Sequence, residues 1–272
     1  MAPHPALPAF PPKWGEAPPE RPGYNNAQFS VLYSDIGPTF YASAGASEDS
    51  EGWIVRDPTS TILNIVPKPV GISTSTRVAQ STWLTEKECE AVLDRDASEM
   101  RASFPSNSKP ISFTFLPNEG VALFQVRRTL FFSPGQHYAD KVPDKWGVQI
   151  MIEGQLHFAM WTFDVRPPPP TLIVTRLRAT KETFPEILTH MHKAARENDM
   201  ERIEFWNLPK ELEEVAIEYG ARTEVRDEHL NAFKWYGPGK NEDIYWAHNE
   251  KLVSLTSTTN ALLTPLNRFA WC

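Results

Sequence analysis

Residues 172–198, LIVTRLRATKETFPEILTHMHKAAREN, decide the fold of this chain. The first seven, Leu172–Arg178, are mostly apolar and predict a strand in the centre of a sheet. After a five-residue loop, apolar residues recur on one face and predict a helix that ends near Asn198. Thr183 and Glu186 have the spacing of a capping box, which favours a helix start between them. A buried strand leading into an amphipathic helix indicates an α/β or α+β domain.

The segments downstream of this stretch continue the alternation of strand and helix. Ile203–Trp206 predicts a strand, and Pro209 is typical of the first turn of the helix that follows. Gly220 lies where a left-handed residue would end that helix. Asn231–Tyr236 predicts the last strand. The order strand, helix, strand, helix, strand predicts a mixed central sheet flanked by helices.

The segments upstream supply the other side of the same sheet. Thr85 and Glu88 form a capping box, and the apolar spacing after them predicts a helix over Glu86–Met100. Four further strands, expected to form an antiparallel meander, are predicted at Ile111–Leu116, Val121–Arg127, Val148–Ile152 and Gln155–Asp164.

Proline content and periodicity divide the chain into parts. Residues 1–27 are rich in proline and are predicted to be a disordered lead. Residues 28–66 predict a short unit of a helix, within Phe29–Tyr41, and a strand, and residues 67–81 predict a linker. The compact domain is expected over 82–272. Within it, 253–268 has no clear periodicity and is predicted to be an irregular insertion.

Composition excludes several classes of function. The net charge is −7 and the pI is about 5.6, so the chain has no global positive field for nucleic acid or an anionic membrane. It has two cysteines, Cys89 and Cys272, and no apolar run of membrane-spanning length. These features predict a cytoplasmic protein with neither a nucleic acid nor a membrane as its partner.

Several short motifs occur in an order that resembles a known family. They are Trp146-Gly147, Phe158–Asp164, Leu172–Arg176, Glu204–Trp206 and Phe269–Cys272. This series is similar to the C-terminal GNAT-like domain of fungal lysine N6-acetyltransferases. Upstream, Leu32–Gly37, Phe40–Gly45 and Gly52-Trp53 resemble the end of the catalytic domain in the same family, so 28–66 is predicted to be its C-terminal remnant.

The resemblance implies acetyl transfer from acetyl-CoA to the N6 amine of lysine, or to another small amine, in lysine degradation. Tyr41, four residues before Gly45, matches the family's Tyr-x-x-x-Gly. The resemblance therefore implies that Tyr41 is the catalytic acid that protonates the departing thiolate. The alternative interpretation of Tyr41 is a tyrosine that only packs.

Two departures from the family pattern predict that this chain is not catalytic alone. Residues 179–183, ATKET, contain no glycine, so backbone N–H groups cannot approach a pyrophosphate closely there. The residues before Phe29 are too few for the phosphate loop of a first GNAT domain. The sequence therefore predicts no cofactor-binding residue, and either a pseudoenzyme or fragment of the acetyltransferase, or a non-catalytic GNAT-like binding module.

Other candidate sites have weaker signals. His190 and His192 lie about 200° apart on a helix and cannot share a metal ion, and no histidine or cysteine spacing typical of a metal site occurs. No metal is therefore expected. Four tryptophans predict either a substrate cleft or core packing, with core packing favoured: Trp146, Trp161, Trp206 and Trp235.

Overall fold

The computed structural model describes residues 28–45, 51–55, 58–65, 81–104, 111–132, 142–166, 168–246 and 266–267. These residues form two compact units. The smaller unit contains the described residues of 28–58 and 225–245. The larger unit contains those of 59–224 together with 246 and 266–267. The predicted lead at 1–27, almost all of the predicted linker and most of the predicted insertion lie outside the described residues.

The helices have the following bounds: α1 (Pro38–Ala42), α2 (Glu86–Ser103), α3 (Phe124–Phe132), α4 (Phe184–Glu197) and α5 (Lys210–Glu218). The strands are β1 (Phe29–Ser34), β2 (Ile54–Val55), β3 (Thr59–Asn64), β4 (Ser81–Leu84), β5 (Ser112–Phe113), β6 (Gly147–Ile152), β7 (Gln155–Asp164), β8 (Thr171–Arg178), β9 (Arg202–Trp206), β10 (Arg222–Val225), β11 (Leu230–Trp235), β12 (Tyr245–Trp246) and β13 (Leu266–Asn267).

The larger unit is built on a mixed sheet with the strand order β10-β3-β9-β8-β7-β6-β4. Of the four strands of the predicted antiparallel meander, β6 and β7 pair with each other as expected, and β7 pairs next with β8. Strand β8 pairs with β9 in parallel through the crossover helix α4. Helix α4 contacts β6, β8 and β9, while α5 contacts β3. The predicted fold class, a mixed sheet flanked by helices, is therefore confirmed.

Strand β8 is the centre of this sheet, and every one of its residues is buried. Its pairing with β7 shifts register between Met160 and Trp161, so that Thr175 is an extra residue on β8. A residue of this kind is a β-bulge, which bends the strand that contains it. On its other edge β8 pairs with β9 only through 171–173, before the bulge.

The core explains why the predicted helices form where they do. The buried face of α4 consists of Phe184, Ile187, Leu188, Met191, Ala194 and Ala195, the stripe expected from the sequence.

The capping box at the start of α2 is confirmed, because Glu88 accepts from the Thr85 N–H at 2.8 Å. The capping box expected at Thr183 is wrong, since its hydroxyl makes no cap bond within α4. Gly220 has the expected left-handed φ of 91°.

The prediction of a strand over Val121–Arg127 is wrong, because these residues lead into and form α3. Leu123 and Val126 lie three residues apart, and Ala122 and Val126 lie four apart, so these three buried residues fit one face of a helix. Arg127 on α3 binds two carboxylates of α2, Glu86 at 2.9 Å and Glu90 at 2.6 Å. The strand predicted at Ile111–Leu116 shortens to β5.

The smaller unit has a three-stranded antiparallel sheet with the order β1-β11-β2. The sequence predicted a helix within Phe29–Tyr41, but residues 29–34 form β1 because they pair along their whole length with β11. The helix is limited to α1, in which Pro38 occupies the first turn. The last predicted strand is confirmed as β11, and it belongs to this unit.

Two segments of the chain repeat one order of elements. Residues 29–64 form β1, α1, β2 and β3, and residues 202–235 form β9, α5, β10 and β11. In the larger unit β3 lies between β9 and β10, and in the smaller unit β11 lies between β1 and β2. The third strand of each segment thus completes the sheet that contains the first two strands of the other segment. Helix α1 is the counterpart of α5 in this repeat.

Candidate functional site

The junction between β8 and α4 is the first candidate site. Ligands of sheets with parallel strands bind beyond the carboxyl ends of those strands, where neighbouring strands diverge. Strand β8 ends at Arg178, five residues after its last pair with β9 at Ile173. The loop of residues 179–183 then leads into α4, whose N-terminus has the positive end of the helix dipole.

Hydrogen bonds within the loop use the groups that an anion would need. The Thr180 N–H donates to the Thr183 hydroxyl at 2.9 Å, and the Thr183 N–H donates to the Thr180 carbonyl at 3.2 Å. The Phe184 N–H donates to the same carbonyl at 2.9 Å. The Thr183 and Phe184 N–H groups, at the start of α4, therefore have partners inside the loop.

A buried histidine lies behind this loop. The Nδ1 atom of His157 on β7 is 3.2 Å from the Thr183 hydroxyl, and both side chains are buried. Burial lowers the pKa of His157, and the nearby Glu182 carboxylate opposes this shift. Burial therefore favours the neutral imidazole here, which makes His157 a poor partner for a phosphate.

Glu182 adds negative charge at the same place. A hydrogen bond from the Thr180 side chain is the largest cause that lowers the pKa of Glu182, followed by one from its own backbone. The preceding residue, Lys181, is paired with Glu214 of α5 at 2.8 Å. The loop thus presents a carboxylate to the solvent, and the adjacent cation is neutralised.

The residues at this junction do not fit the pyrophosphate of acetyl-CoA. A pyrophosphate site needs backbone N–H groups that point at the ligand and a loop without side chains in the way. Here the loop has no glycine, Thr180 donates to Thr183, and Glu182 repels anions.

Tyr41, the predicted catalytic acid, lies on α1 in the smaller unit. Its carbonyl accepts from the Trp53 N–H at 2.9 Å, and its ring is in edge contact with the rings of Phe40 and Trp53. Gly52 lies so close to α1 that a Cβ there would be 2.0 Å from the Tyr41 carbonyl oxygen. These contacts fix the backbone of Tyr41, whose side chain is half-buried.

Three of the other candidates, Trp146, Trp161 and His190, pack or hydrogen-bond within the larger unit. Trp146 and Trp161 are fully buried, which agrees with core packing. His190 binds the Ser81 hydroxyl at 2.9 Å through Nε2 and contacts the ring of Trp83. Among the residues that the structure describes, no group of histidine, cysteine or acidic residues could hold a metal ion. None of the described helices is long and apolar enough to cross a membrane.

Sequence reasoning missed a buried ionic cluster. Asp96 of α2 has no solvent exposure and binds both Arg176 and Arg178 of β8, with 2.6 Å between Asp96 Oδ2 and Arg176 Nε. Burial lowers the pKa of Arg176 to about 10, which leaves it protonated at neutral pH. The sequence did indicate that Asp96 is buried, because it lies on the same face of α2 as the apolar residues Val92 and Met100.

Comparison with known proteins adds one finding to this geometry. Residues 66–254 match a family described as the LYC1 GNAT-like C-terminal domain, and the matched region is more than half of the chain. No curated protein and no solved structure matched the chain. The matched region runs from β4 to β12 and contains α4 and the loop before it. The chain belongs to the LYC1 GNAT-like C-terminal domain family.

Proposed function

We propose that this chain belongs to a lysine N-acetyltransferase and that its larger unit is a non-catalytic GNAT-like module. The reaction of the whole enzyme is acetyl transfer from acetyl-CoA to the N6 amine of lysine, as a step of lysine degradation. The family match supports the acetyltransferase-like fold. The substrate, a fungal source and a cytoplasmic location are inferred from the sequence motifs and composition.

One observation carries the claim that the larger unit is non-catalytic. The Thr180 N–H, which begins the turn before α4, is bonded to the Thr183 hydroxyl at 2.9 Å. A phosphate oxygen would have to displace that hydroxyl and then lie beside the Glu182 carboxylate. Displacing the Thr183 hydroxyl from the Thr180 N–H and placing a phosphate beside the Glu182 carboxylate both cost free energy. Because the loop has no glycine, backbone N–H groups cannot approach the phosphate closely enough to offset this cost.

We assign to Tyr41 the role of catalytic acid in the acetyltransferase. Its support is the Tyr-x-x-x-Gly pattern that ends at Gly45, together with the repeat in which α1 is the counterpart of α5. The edge contacts of the Tyr41 ring with the rings of Trp53 and Phe40 restrict the position of that ring. In this proposal α1, and not α4, contributes to the chemistry.

Calorimetric titration of the whole chain with acetyl-CoA tests the proposal. We expect no saturable binding tighter than about 1 mM. Two matched variants, Glu182→Gln and Glu186→Gln, each remove one carboxylate near the start of α4, and neither is expected to create micromolar binding. Micromolar binding by the unchanged chain, or acetylation of free lysine by this chain alone, would contradict the non-catalytic assignment.

A binding module is the second candidate function. The observation that favours it is the pairing of β13 with β8, which supports a sheet edge that takes up an added backbone. A module of this kind would bind a polypeptide and would not need acetyl-CoA. A pull-down cannot distinguish a part of the acetyltransferase from an independent binding module. Measuring acetylation of lysine by the acetyltransferase with and without this chain can distinguish them.

A further inference from the structure

We propose that Lys234 and Asn241 are positioning residues for Tyr41, and that they act on it through the segment of residues 51–53. All of these residues belong to the smaller unit. The proposal rests on the proposed function, in which Tyr41 is the catalytic acid. It adds to that function two residues that act on the reaction without touching a substrate.

The segment of residues 51–53 binds the last turn of α1. The Trp53 N–H donates to the Tyr41 carbonyl at 2.9 Å, and the Gly52 N–H donates to the Ala42 carbonyl at 3.1 Å. The last carbonyls of a helix have no partner within it, so donors from another segment stabilise this turn. The ring of Trp53 also contacts the Tyr41 ring edge-on, with 6.1 Å between the centroids. The backbone and the ring of Tyr41 therefore both depend on where this segment lies.

Two buried side chains bind the same segment, one from β11 and one from the short turn that follows it. Lys234 donates from Nζ to the Glu51 carbonyl, and Asn241 donates from Nδ2 to the Gly52 carbonyl at 3.3 Å. These residues are only 6% and 5% exposed, so water competes little for either bond. The segment thus donates to α1 and accepts from the two side chains.

The sheet of the smaller unit holds both side chains in place. Asn241 Oδ1 accepts from the Trp235 N–H at 2.6 Å. Because a backbone N–H bonds to the amide oxygen, Nδ2 is directed away from β11 and towards the segment. Lys234 lies opposite Ser30 in the sheet, and the Ser30 hydroxyl accepts from Trp53 Nε1 at 2.6 Å.

Lys234 joins the backbone of the segment to the ring that contacts Tyr41. Its Nζ lies 5.4 Å from the centroid of the Trp53 ring, where the face of the ring attracts a cation. Burial lowers the pKa of Lys234, and the Glu51 carboxylate opposes this shift. An apolar side chain of similar length would avoid the cost of burial but could not bind the carbonyl and the ring together.

Two variants of the whole chain remove the donors and keep most of the packing. Asn241→Asp keeps the oxygen that accepts from Trp235 and loses the N–H groups that donate to the segment. Lys234→Met keeps an unbranched stem and loses the ammonium group. We expect the amides of Gly52 and Trp53 to exchange about tenfold faster with solvent in each variant, measured by hydrogen exchange.

The ring signals of Tyr41 in magnetic resonance spectra report the position of its side chain. In the chain with isotope-labelled tyrosine, Tyr41→Phe assigns these signals, and we expect them to shift in both variants. Asn207→Asp in the larger unit is the matched control, since Asn207 Oδ1 accepts from the Thr59 N–H at 2.9 Å and aspartate keeps that bond. Tyr41 signals that stay in place in both variants would overturn the proposal.

Exchange along β1 and β11 shows whether the smaller unit is still folded. We expect these amides to stay protected, because the pairing of the two strands uses backbone groups. If one variant loses this protection, the other variant is used for the test. Loss in both variants would also overturn the proposal, since the two side chains would then hold the sheet and not Tyr41.

Acetylation of lysine by the acetyltransferase that includes this chain separates the positioning role from the proposed function. Tyr41→Phe should lower kcat by at least about 100-fold, and Asn241→Asp by a smaller factor, each with an unchanged KM for lysine. The double variant should be no slower than Tyr41→Phe alone, and a further loss would overturn the positioning role. An unchanged kcat in Tyr41→Phe would instead overturn the catalytic role of Tyr41, and would leave its ring signals as they are.

Discussion

The two units of this chain contain two strand-to-helix junctions that differ in nearly every physical respect. In the larger unit, β8 is buried throughout and enters α4 through a loop in which the Thr180 N–H donates to the Thr183 hydroxyl and the Thr183 N–H donates to the Thr180 carbonyl. In the smaller unit, β1 enters α1 through Gly37, which has a φ of 85° and open space at its Cβ position. Helix α1 has no buried residue.

This difference indicates where ligand chemistry is possible. In the α4 loop, the Thr180 and Thr183 N–H groups could bind an anion only by giving up the hydrogen bonds that they already make. A helix with no buried residue gains little stability from the core, so residues such as Tyr41 are free of packing constraints except for contacts with Trp53 and Phe40. We interpret α4 as a support of the sheet and α1 as the functional helix.

The largest effect on the free energy of unfolding is expected from the buried cluster in which Asp96 of α2 binds Arg176 and Arg178 of β8. Asp96→Ala leaves Arg176 and Arg178 buried without their shared carboxylate, and we expect it to lower the free energy of unfolding by about 3–5 kcal/mol. Urea denaturation followed by circular dichroism measures this. Glu99→Gln, which alters a half-exposed partner of Arg178, is the control and should cost less than about 1 kcal/mol. Similar losses in both variants would contradict the assigned role of the cluster.

The next effect concerns the smaller unit. Gly52→Ala places a Cβ 2.0 Å from the Tyr41 carbonyl oxygen and 2.7 Å from that of Ala42, and we expect it to cost about 1–3 kcal/mol. The amide of Trp53, which donates to Tyr41, should exchange faster. Gly37→Ala has only the strain of its φ and should leave the Trp53 amide protected. Equal protection of the Trp53 amide in both variants would contradict the claim that Gly52 allows the close contact with Tyr41.

A smaller effect is expected at the α4 loop. Thr183→Val removes the acceptor of the Thr180 N–H and should destabilise the chain by about 1–2 kcal/mol. Thr183→Ser keeps the hydroxyl and should lose much less. Chemical denaturation gives the free energies, and exchange of the Thr180 amide reports the bond itself. If valine and serine behave alike, the hydroxyl does not hold the loop.

The smallest expected effect depends on pH. Because burial lowers the pKa of His157 below 6.5, the unfolded chain binds a proton more readily than the folded chain does. The contribution of neutral His157 to stability is therefore complete above pH 6.5 and is lost as the pH falls from there through the folded pKa. His157→Asn should flatten the stability profile between pH 7 and about pH 5. An unchanged slope would show that His157 is not the group that titrates.

Much of the fold could be predicted from periodicity, and some could not for physical reasons. The helix α4 and the strand β8 have clear apolar patterns, whereas the segment at Val121–Arg127 is short enough to fit either a strand or a helix until its buried positions are known. Pairing between distant segments left no local signal, so the exchange of β3 and β11 between the sheets was not predicted.

For the loop before α4, the sequence predicts the residue composition but not the hydrogen bonds. The lack of glycine in residues 179–183 is visible in the sequence, but the bond from Thr180 to Thr183 depends on the turn that these residues adopt. The cluster of Asp96 with Arg176 and Arg178 joins elements about 80 residues apart, a distance over which side-chain spacing has no meaning. Tyr41 and its catalytic role stay a prediction.

The amide signal of Thr180 offers the most direct test of the central claim, that the start of α4 does not hold acetyl-CoA. Its position in a two-dimensional N–H spectrum of the whole chain can be followed during titration with acetyl-CoA. We predict that the signal does not move up to about 1 mM ligand, because its proton is bonded to the Thr183 hydroxyl. A saturable shift of the Thr180 amide at micromolar acetyl-CoA would contradict this account.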